Sequence, residues 1–242
     1  MRIDTHTHIA DLSGVDKIIL SGASAETDGN IQGIAQVFNM AQSDERIFAT
    51  LGLHPYEQGK WFDFESMLPN PKVVGIGEIG LDYHLEHDRS AQIELFERQL
   101  NIARRVNLPV AIHSRDADID MINILINMPA FGVMHCFTGE WKMARIMLDR
   151  GFYISASGII TFKNASEIRE SFAKIPLDRI LCETDSPYCA PVPFRGQSAH
   201  PSMVSETIRA LADIKNLPTL EIENILWDNA HRLYKKLCPD KL

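Results

Sequence analysis

Val73-Val74-Gly75-Ile76-Gly77-Glu78-Ile79-Gly80 is an apolar run broken by a single acid. It follows Pro71 and is too continuous for a surface strand, which would alternate apolar and polar residues. It reads as a strand buried on both faces, as in a parallel sheet whose two faces are covered by helices.

The pattern repeats on both sides of this run. Upstream, Val15–Leu20 and Ile47–Leu53 are short apolar strands, separated by a helical pattern over Asp28–Gln42 with Ile31, Ile34, Ala35, Phe38 and Ala41 on one face. Downstream, strands are expected at Leu108–His113, Gly132–His135, Phe152–Ser155 and Ile180–Asp185. Helices are expected at Ser90–Val106, Ile119–Met128, Trp141–Leu148 and Ala165–Ala173, with two more, Met203–Ile214 and Leu220–Leu237, finishing the chain. The first strand is Met1-Arg2-Ile3-Asp4-Thr5-His6-Thr7-His8. Its connection to Val15 is shorter than the dozen or so residues that a parallel crossover normally needs. Strands and helices thus alternate about eight times, without linkers or repeats. The expected fold is α/β, a (β/α)8 TIM barrel with a shortened first βα unit, formed as a single domain over residues 1–242. A doubly wound open sheet is the alternative, but no G-x-G-x-x-G follows any strand.

Composition narrows the function. The chain has 242 residues, 45% of them apolar, and a net charge of −8. That balance argues against a broad basic surface for nucleic acid, so an anionic substrate has to be held locally. No apolar run approaches the roughly 18 to 20 residues that span a bilayer. Without a basic stretch and apolar h-region at the N-terminus, cytoplasm is the expected location, with no membrane partner. Cys136, Cys182, Cys189 and Cys238 form no C-x-x-C pair and are expected to be reduced. Cys136, alternating with His135, is expected to face away from it and pack.

The polar residues that interrupt the strands are concentrated at their C-terminal ends: His6, His8, His54, Glu78, His113, His135 and Asp185. In a parallel barrel these ends converge on the face where active sites sit. His6 and His8 share one face of their strand. Two histidines from the first strand, one each from the fifth and sixth, and two carboxylates make six donors. That is too many for one catalytic zinc and suits two divalent ions, of magnesium, manganese or zinc, bridged by a carboxylate. Such a pair activates a hydroxide and neutralises charge on a phosphoryl oxygen, which implies metal-assisted hydrolysis.

Several motifs carry a resemblance: Ile3–His8, Gly52-Leu53-His54-Pro55, Gly77–Tyr83, Ile112–Ala117, His135-Cys136-Phe137-Thr138-Gly139, Ile160–Asn164 and Glu183–Tyr188. With these, the chain resembles the TatD family of metal-dependent hydrolases, among the amidohydrolase-type barrels. The resemblance implies that His6, His8 and Asp185 hold one ion and that His113 and His135 hold another, with Glu78 bridging. It implies two catalytic carboxylates, Glu78 and Asp185, the latter as ligand or as proton acceptor from the attacking water. It also implies DNA as substrate, cleaved by a Mg2+-dependent deoxyribonuclease with 3′→5′ exonuclease character on single strands or ends. The alternative is a D-aminoacyl-tRNA deacylase or another small ester or amide hydrolase with the same metal site.

His54 is expected to line the substrate, and Arg115 and Arg195 to hold a phosphate or carboxylate through their planar guanidinium groups. For Arg115, a pair with Asp116 or Asp118 would equally order the loop. Glu183 is placed to orient a ligand histidine. His84, His87 and His231 read as surface or helix polars. Two departures from the family pattern stand out. The helix after the first motif is largely missing, and Gln197-Ser198-Ala199-His200-Pro201 replaces the usual Lys-x-Asn-Glu-Pro.

Overall fold

A computed structural model describes residues 1–26, 33–84 and 86–238. The strands are β1 (Ile3–Thr7), β2 (Lys17–Gly22), β3 (Ile47–Leu51), β4 (Val73–Asp82), β5 (Val110–Arg115), β6 (Gly132–Met134), β7 (Tyr153–Ala156) and β8 (Ile180–Cys182). The helices are α1 (Ile34–Ser43), α2 (Arg89–Val106), α3 (Asp118–Asn127), α4 (Trp141–Asp149), α5 (Ser166–Lys174), α6 (Val204–Lys215) and α7 (Thr219–Leu233). The strands form one sheet in sequence order, β1 to β8. The pairs β1/β2, β3/β4, β4/β5, β5/β6 and β7/β8 are all parallel. This is the topology of the expected (β/α)8 barrel. The start of the helix expected from Asp28 lies outside the described residues; α1 begins at Ile34.

By packing, the chain divides into two compact units. One comprises Met1–Leu20 and His135–Leu233, the other Ser21–Met134 and Tyr234–Leu242.

In the first unit, β1 pairs with β2 in parallel, Ile3 opposite Lys17 and Thr7 opposite Leu20. Residues 8–16 join them with bends and turns and no helix. The short link works because its ends are pinned: Arg2 N donates to Asp16 Oδ2 at 2.7 Å and Asp16 N donates back to Arg2 O at 2.9 Å. On its other side β1 meets β8, where Thr5 Oγ1 donates to Cys182 O at 3.0 Å. Helix α7 packs against both β1 and β8, α6 against β8 and α4 against β7.

In the second unit, all the residues of β3 and β4 are buried, as their continuous apolar sequence requires. No α-helix follows β3; two 3-10 turns, Pro55–Glu57 and Glu65–Met67, lead to β4 instead. The barrel therefore lacks a second helix besides the one missing after β1. Helix α2 is capped by Asp88, whose Oδ1 accepts from the amides of Ser90 and Ala91, and by Asn107 in the left-handed region. Its buried face carries two glutamines seven residues apart. Gln99 accepts from Leu53 N at 2.6 Å and donates to Leu53 O at 2.9 Å. Gln92 does the same for Asp82, both at 2.8 Å. Each primary amide thus takes the place of a strand partner for a backbone that has none.

Strand β4 runs two residues past its expected end at Gly80. Gly80 has φ +149°, and a Cβ there would sit 1.9 Å from His113 O. Only glycine lets β4 pass so close to β5 and continue to Asp82. The last helix is shorter than expected. It stops at Leu233, and Tyr234 belongs with the second unit, where Lys236 Nζ donates to the carbonyls of Leu68, Asn70 and Val73 at 2.9–3.2 Å. Among the described residues no helix is long and apolar enough to cross a membrane.

Gly80→Ala is expected to cost about 3 kcal/mol or more, because it combines a clash with backbone and a disfavoured φ. Gly59→Ala, with φ +79° and nothing within 4 Å of the added Cβ, is expected to cost only about 1–2 kcal/mol. Urea denaturation of the two variants checks the difference.

Candidate metal centre

In the first unit the site is built on a turn that β1 holds in place. His6 and His8 leave the end of β1 on one face, their rings 5.2 Å apart and edge-on. Asp185 lies in the turn after β8 with φ +57°. That turn is fastened to β1 by Asp185 N donating to His6 O at 3.0 Å and His8 N donating to Ser186 O at 2.8 Å. Asp4, fully buried, accepts from Thr184 N at 3.0 Å, from His6 N at 3.2 Å and from the Thr184 hydroxyl. Burial pushes the Asp4 carboxyl up despite these hydrogen bonds.

The result aims Asp185 Oδ1 at His8 Nε2, 3.7 Å away, and at His6 Nε2, 3.9 Å away. The three side chains each offer a donor atom, all within 4.8 Å of one another. Burial alone would raise Asp185. The hydrogen bond with His8 and the charges of His135, His6 and His8 outweigh it and hold the carboxyl below its ordinary value, so it is ionised at neutral pH.

His135 stacks on His6, with ring centroids 4.1 Å apart. Its Nδ1 lies 3.0 Å from Glu183 Oε1, which also accepts from Cys136 N at 2.7 Å. With its hydrogen on Nδ1 donated to Glu183, the ring keeps a lone pair on Nε2. Cys136 Sγ contacts Ser157 Oγ at 3.1 Å. β6 ends at Met134, so strand alternation no longer governs residues 135 and 136, and Cys136 turns with φ +42°.

In the second unit, Glu78, His113, His54 and Asp82 come together. Glu78 Oε1 is 2.8 Å from His113 Nδ1 and 3.6 Å from His54 Nε2. The other nitrogen of His113 is 2.9 Å from Asp82 Oδ2. Asp82 also accepts from Tyr56 OH at 2.8 Å and from His84 N at 2.9 Å. Burial would raise Asp82, but the hydrogen bonds from His113, His84 and Tyr56 prevail and hold its carboxyl well below the usual range. Burial and the hydrogen bond to Asp82 push the Tyr56 phenol up to about 12. His54 Nδ1 accepts from Tyr56 N at 3.2 Å. The neutral ring then carries its hydrogen on Nε2, which makes His54 a donor at that atom.

His113 and His135 are both oriented by a carboxylate. Each has a nitrogen on an orienting carboxylate, His135 Nδ1 on Glu183 and His113 Nε2 on Asp82, the arrangement that orients a metal-ligating histidine, while the Nδ1 of His113 faces Glu78. Sequence patterns assigned no role to Asp82, Tyr56 or Asp4. Asp82 was detectable: it lies four residues beyond Glu78 on the same strand and hence on the same face.

Arg115 is exposed at the end of β5. Its alternative partners are engaged elsewhere, Asp116 with His84 at 3.1 Å and Asp118 with Ser114 at 3.4 Å. Arg195 is exposed, its guanidinium 4.0 Å over the Phe162 ring. His231, between Lys17 and the Trp227 carbonyl, holds α7 in place.

The family model described as TatD related DNase matches residues 3–235. The chain belongs to the TatD family. It is 36% identical to the uncharacterized metal-dependent hydrolase YabD of Bacillus subtilis, with 97% of this chain and 99% of that protein covered. It is 34% identical to the uncharacterized metal-dependent hydrolase YcfH of Escherichia coli K12, covering 96% and 95%. Among solved structures it is similar to YJJV, a TatD homolog from the same organism, at 32% identity and a TM-score of 0.86 over 97% of this chain and 98% of that one.

The imidazole and carboxylate donors of this TatD-family chain suit a divalent ion. His6, His8 and Asp185 would hold one, and Glu78 and His113 offer donors in the second unit. Asp82→Asn is expected to weaken Mn2+ binding about 10- to 100-fold by releasing His113. Tyr56→Phe, losing one hydrogen bond, is expected to cost about tenfold at most. Calorimetric titration of both variants measures this, and unaltered affinity in Asp82→Asn would mean that His113 is oriented by something else.

Proposed function

We propose that this TatD-family metal-dependent hydrolase cleaves phosphodiester bonds of DNA at single-stranded regions or ends, from the 3′ side. The observation that carries the reading is the His6–His8–Asp185 group, three convergent donors with an ionised carboxylate. The match to a family described as TatD related DNase supports the choice of substrate. So does the net charge of −8, which suits limited contact with a strand end better than tracking along a duplex.

When bound, divalent ions would supply Lewis-acid activation of the attacking water and neutralise charge on the phosphoryl oxygen. The protein's own groups supply the rest. Asp185, ionised at neutral pH, serves as ligand or takes the proton of the attacking water at a carboxylate oxygen. Glu183 keeps His135 in one orientation, and Asp82 does the same for His113. His54 offers its Nε2 hydrogen to an anionic oxygen. Arg115 and Arg195, both exposed, offer guanidinium groups to phosphates. In this reading the Glu78 carboxylate would serve as a metal ligand, and its charge is essential.

Incubating the protein with end-labelled single-stranded DNA and Mg2+ or Mn2+ is expected to give stepwise shortening that chelator abolishes. Glu78→Gln is expected to lower the rate about a thousandfold. Cleavage that survives chelator or Glu78→Gln would sink the nuclease reading. Release of the amino acid from D-aminoacyl-tRNA, with DNA left intact, would move the same site to ester hydrolysis.

A further inference from the structure

Two thiols stand beside Asp185 that the hydrolytic reading does not use. Cys136 follows His135, and Cys189 closes the turn that begins at Asp185. Both, like Asp185, have backbones in the left-handed region, with φ +42°, +55° and +57°. The turn presses close to the segment after β7: a Cβ on Gly158 would lie 2.1 Å from Cys189 O, so glycine is required there. Both cysteines are half-buried. Their Sγ atoms are 3.9 Å apart, and Cys189 Sγ is 3.5 Å from Asp185 Oδ2. Cys136 Sγ is also 3.1 Å from Ser157 Oγ.

The Sγ–Sγ and Sγ–Oδ2 separations match two edges of a coordination tetrahedron, and the donor atoms of all three side chains lie within 4.8 Å of one another. With zinc–sulfur bonds of about 2.3 Å and a zinc–oxygen bond of about 2.0 Å, two sulfurs lie about 3.8 Å apart, and a sulfur and an oxygen about 3.5 Å. A disulfide would need the sulfurs at about 2.05 Å. Asp185 meanwhile turns its other oxygen, Oδ1, to His6 and His8. One carboxylate thus faces two donor sets of different chemistry, imidazole on one side and sulfur on the other.

We propose that Cys136, Cys189 and Asp185 form a site for a thiophilic divalent cation of the zinc or cadmium class, sharing Asp185 with the imidazole group. Binding forms two metal–sulfur bonds and one metal–oxygen bond, and the two S–H protons pass to solvent. Three protein donors leave the fourth position to water. Magnesium, which prefers oxygen donors, is not a ligand partner for sulfur, so the two classes of ion are sorted by donor type. An ion on the thiol side draws the Asp185 carboxylate toward sulfur and away from the histidines.

Titration with Cd2+ alone, under a phosphine reductant, tests this through the ultraviolet sulfur-to-cadmium charge-transfer band. The wild-type protein is expected to give a band that saturates at one equivalent and that excess Mg2+ does not displace. At saturation, Cys136→Ser and Cys189→Ser are each expected to halve it, and the double variant to lose it. Cys182→Ser and Cys238→Ser are expected to leave it unchanged. Asp185→Asn is expected to keep its amplitude and shift saturation to higher Cd2+. No band in the wild type, meaning that the two thiols only hydrogen-bond to each other, would overturn the proposal, as would a band that survives the double variant. The band is read without substrate, so failure of DNA cleavage leaves this result standing.

Discussion

The buried carboxyl group of Asp4 is the constraint on which the first unit depends. A fully buried carboxyl is costly unless its oxygens are hydrogen-bonded. Asp4 offsets part of that cost by accepting from Thr184, through both its backbone and its hydroxyl, and from the backbone of His6. Those bonds hold the end of β1 to the turn after β8. The same turn carries Asp185, and the same strand end carries His6 and His8. One interaction therefore joins the strands and sets the spacing of three candidate ligands.

The second unit solves a comparable problem with amides. The ends of β3 and β4 would leave backbone groups unsatisfied inside the protein. Gln99 and Gln92, on one face of α2, close them. Each closure lies at a functional side chain: His54 comes directly after Leu53, and Asp82 is itself the closed residue. The rigidity of α2 is thereby passed to His54 and, through Asp82, to His113. In both units, hydrogen bonds to backbone position the side chains that carry the chemistry.

Much of this architecture was legible in the chain. Continuous apolar runs such as Val73–Ile79 specify parallel strands, because only strands covered on both faces are apolar at every position. Histidines and acids at the ends of those runs mark the chemical face. The missing helix after β1 was visible in the short distance from His8 to Val15. The sequence likewise places no helix between His54 and Pro71, where the structure has two 3-10 turns. For Cys136 alternation gives no guide, because it holds only while the strand lasts and β6 ends before it.

By itself the sequence determined the order of elements, the parallel sheet and the set of candidate ligands, since these depend on hydrophobic period and residue type over short stretches. Tertiary structure alone decided the partners of those ligands. Asp82 on His113, Glu183 on His135 and Cys189 beside Cys136 are separated by 31, 48 and 53 residues. Such pairs leave no local trace, because the contact depends on which strand ends and turns the fold brings together. Local pattern says that a residue is polar where the chain should be apolar, and only packing says what it touches.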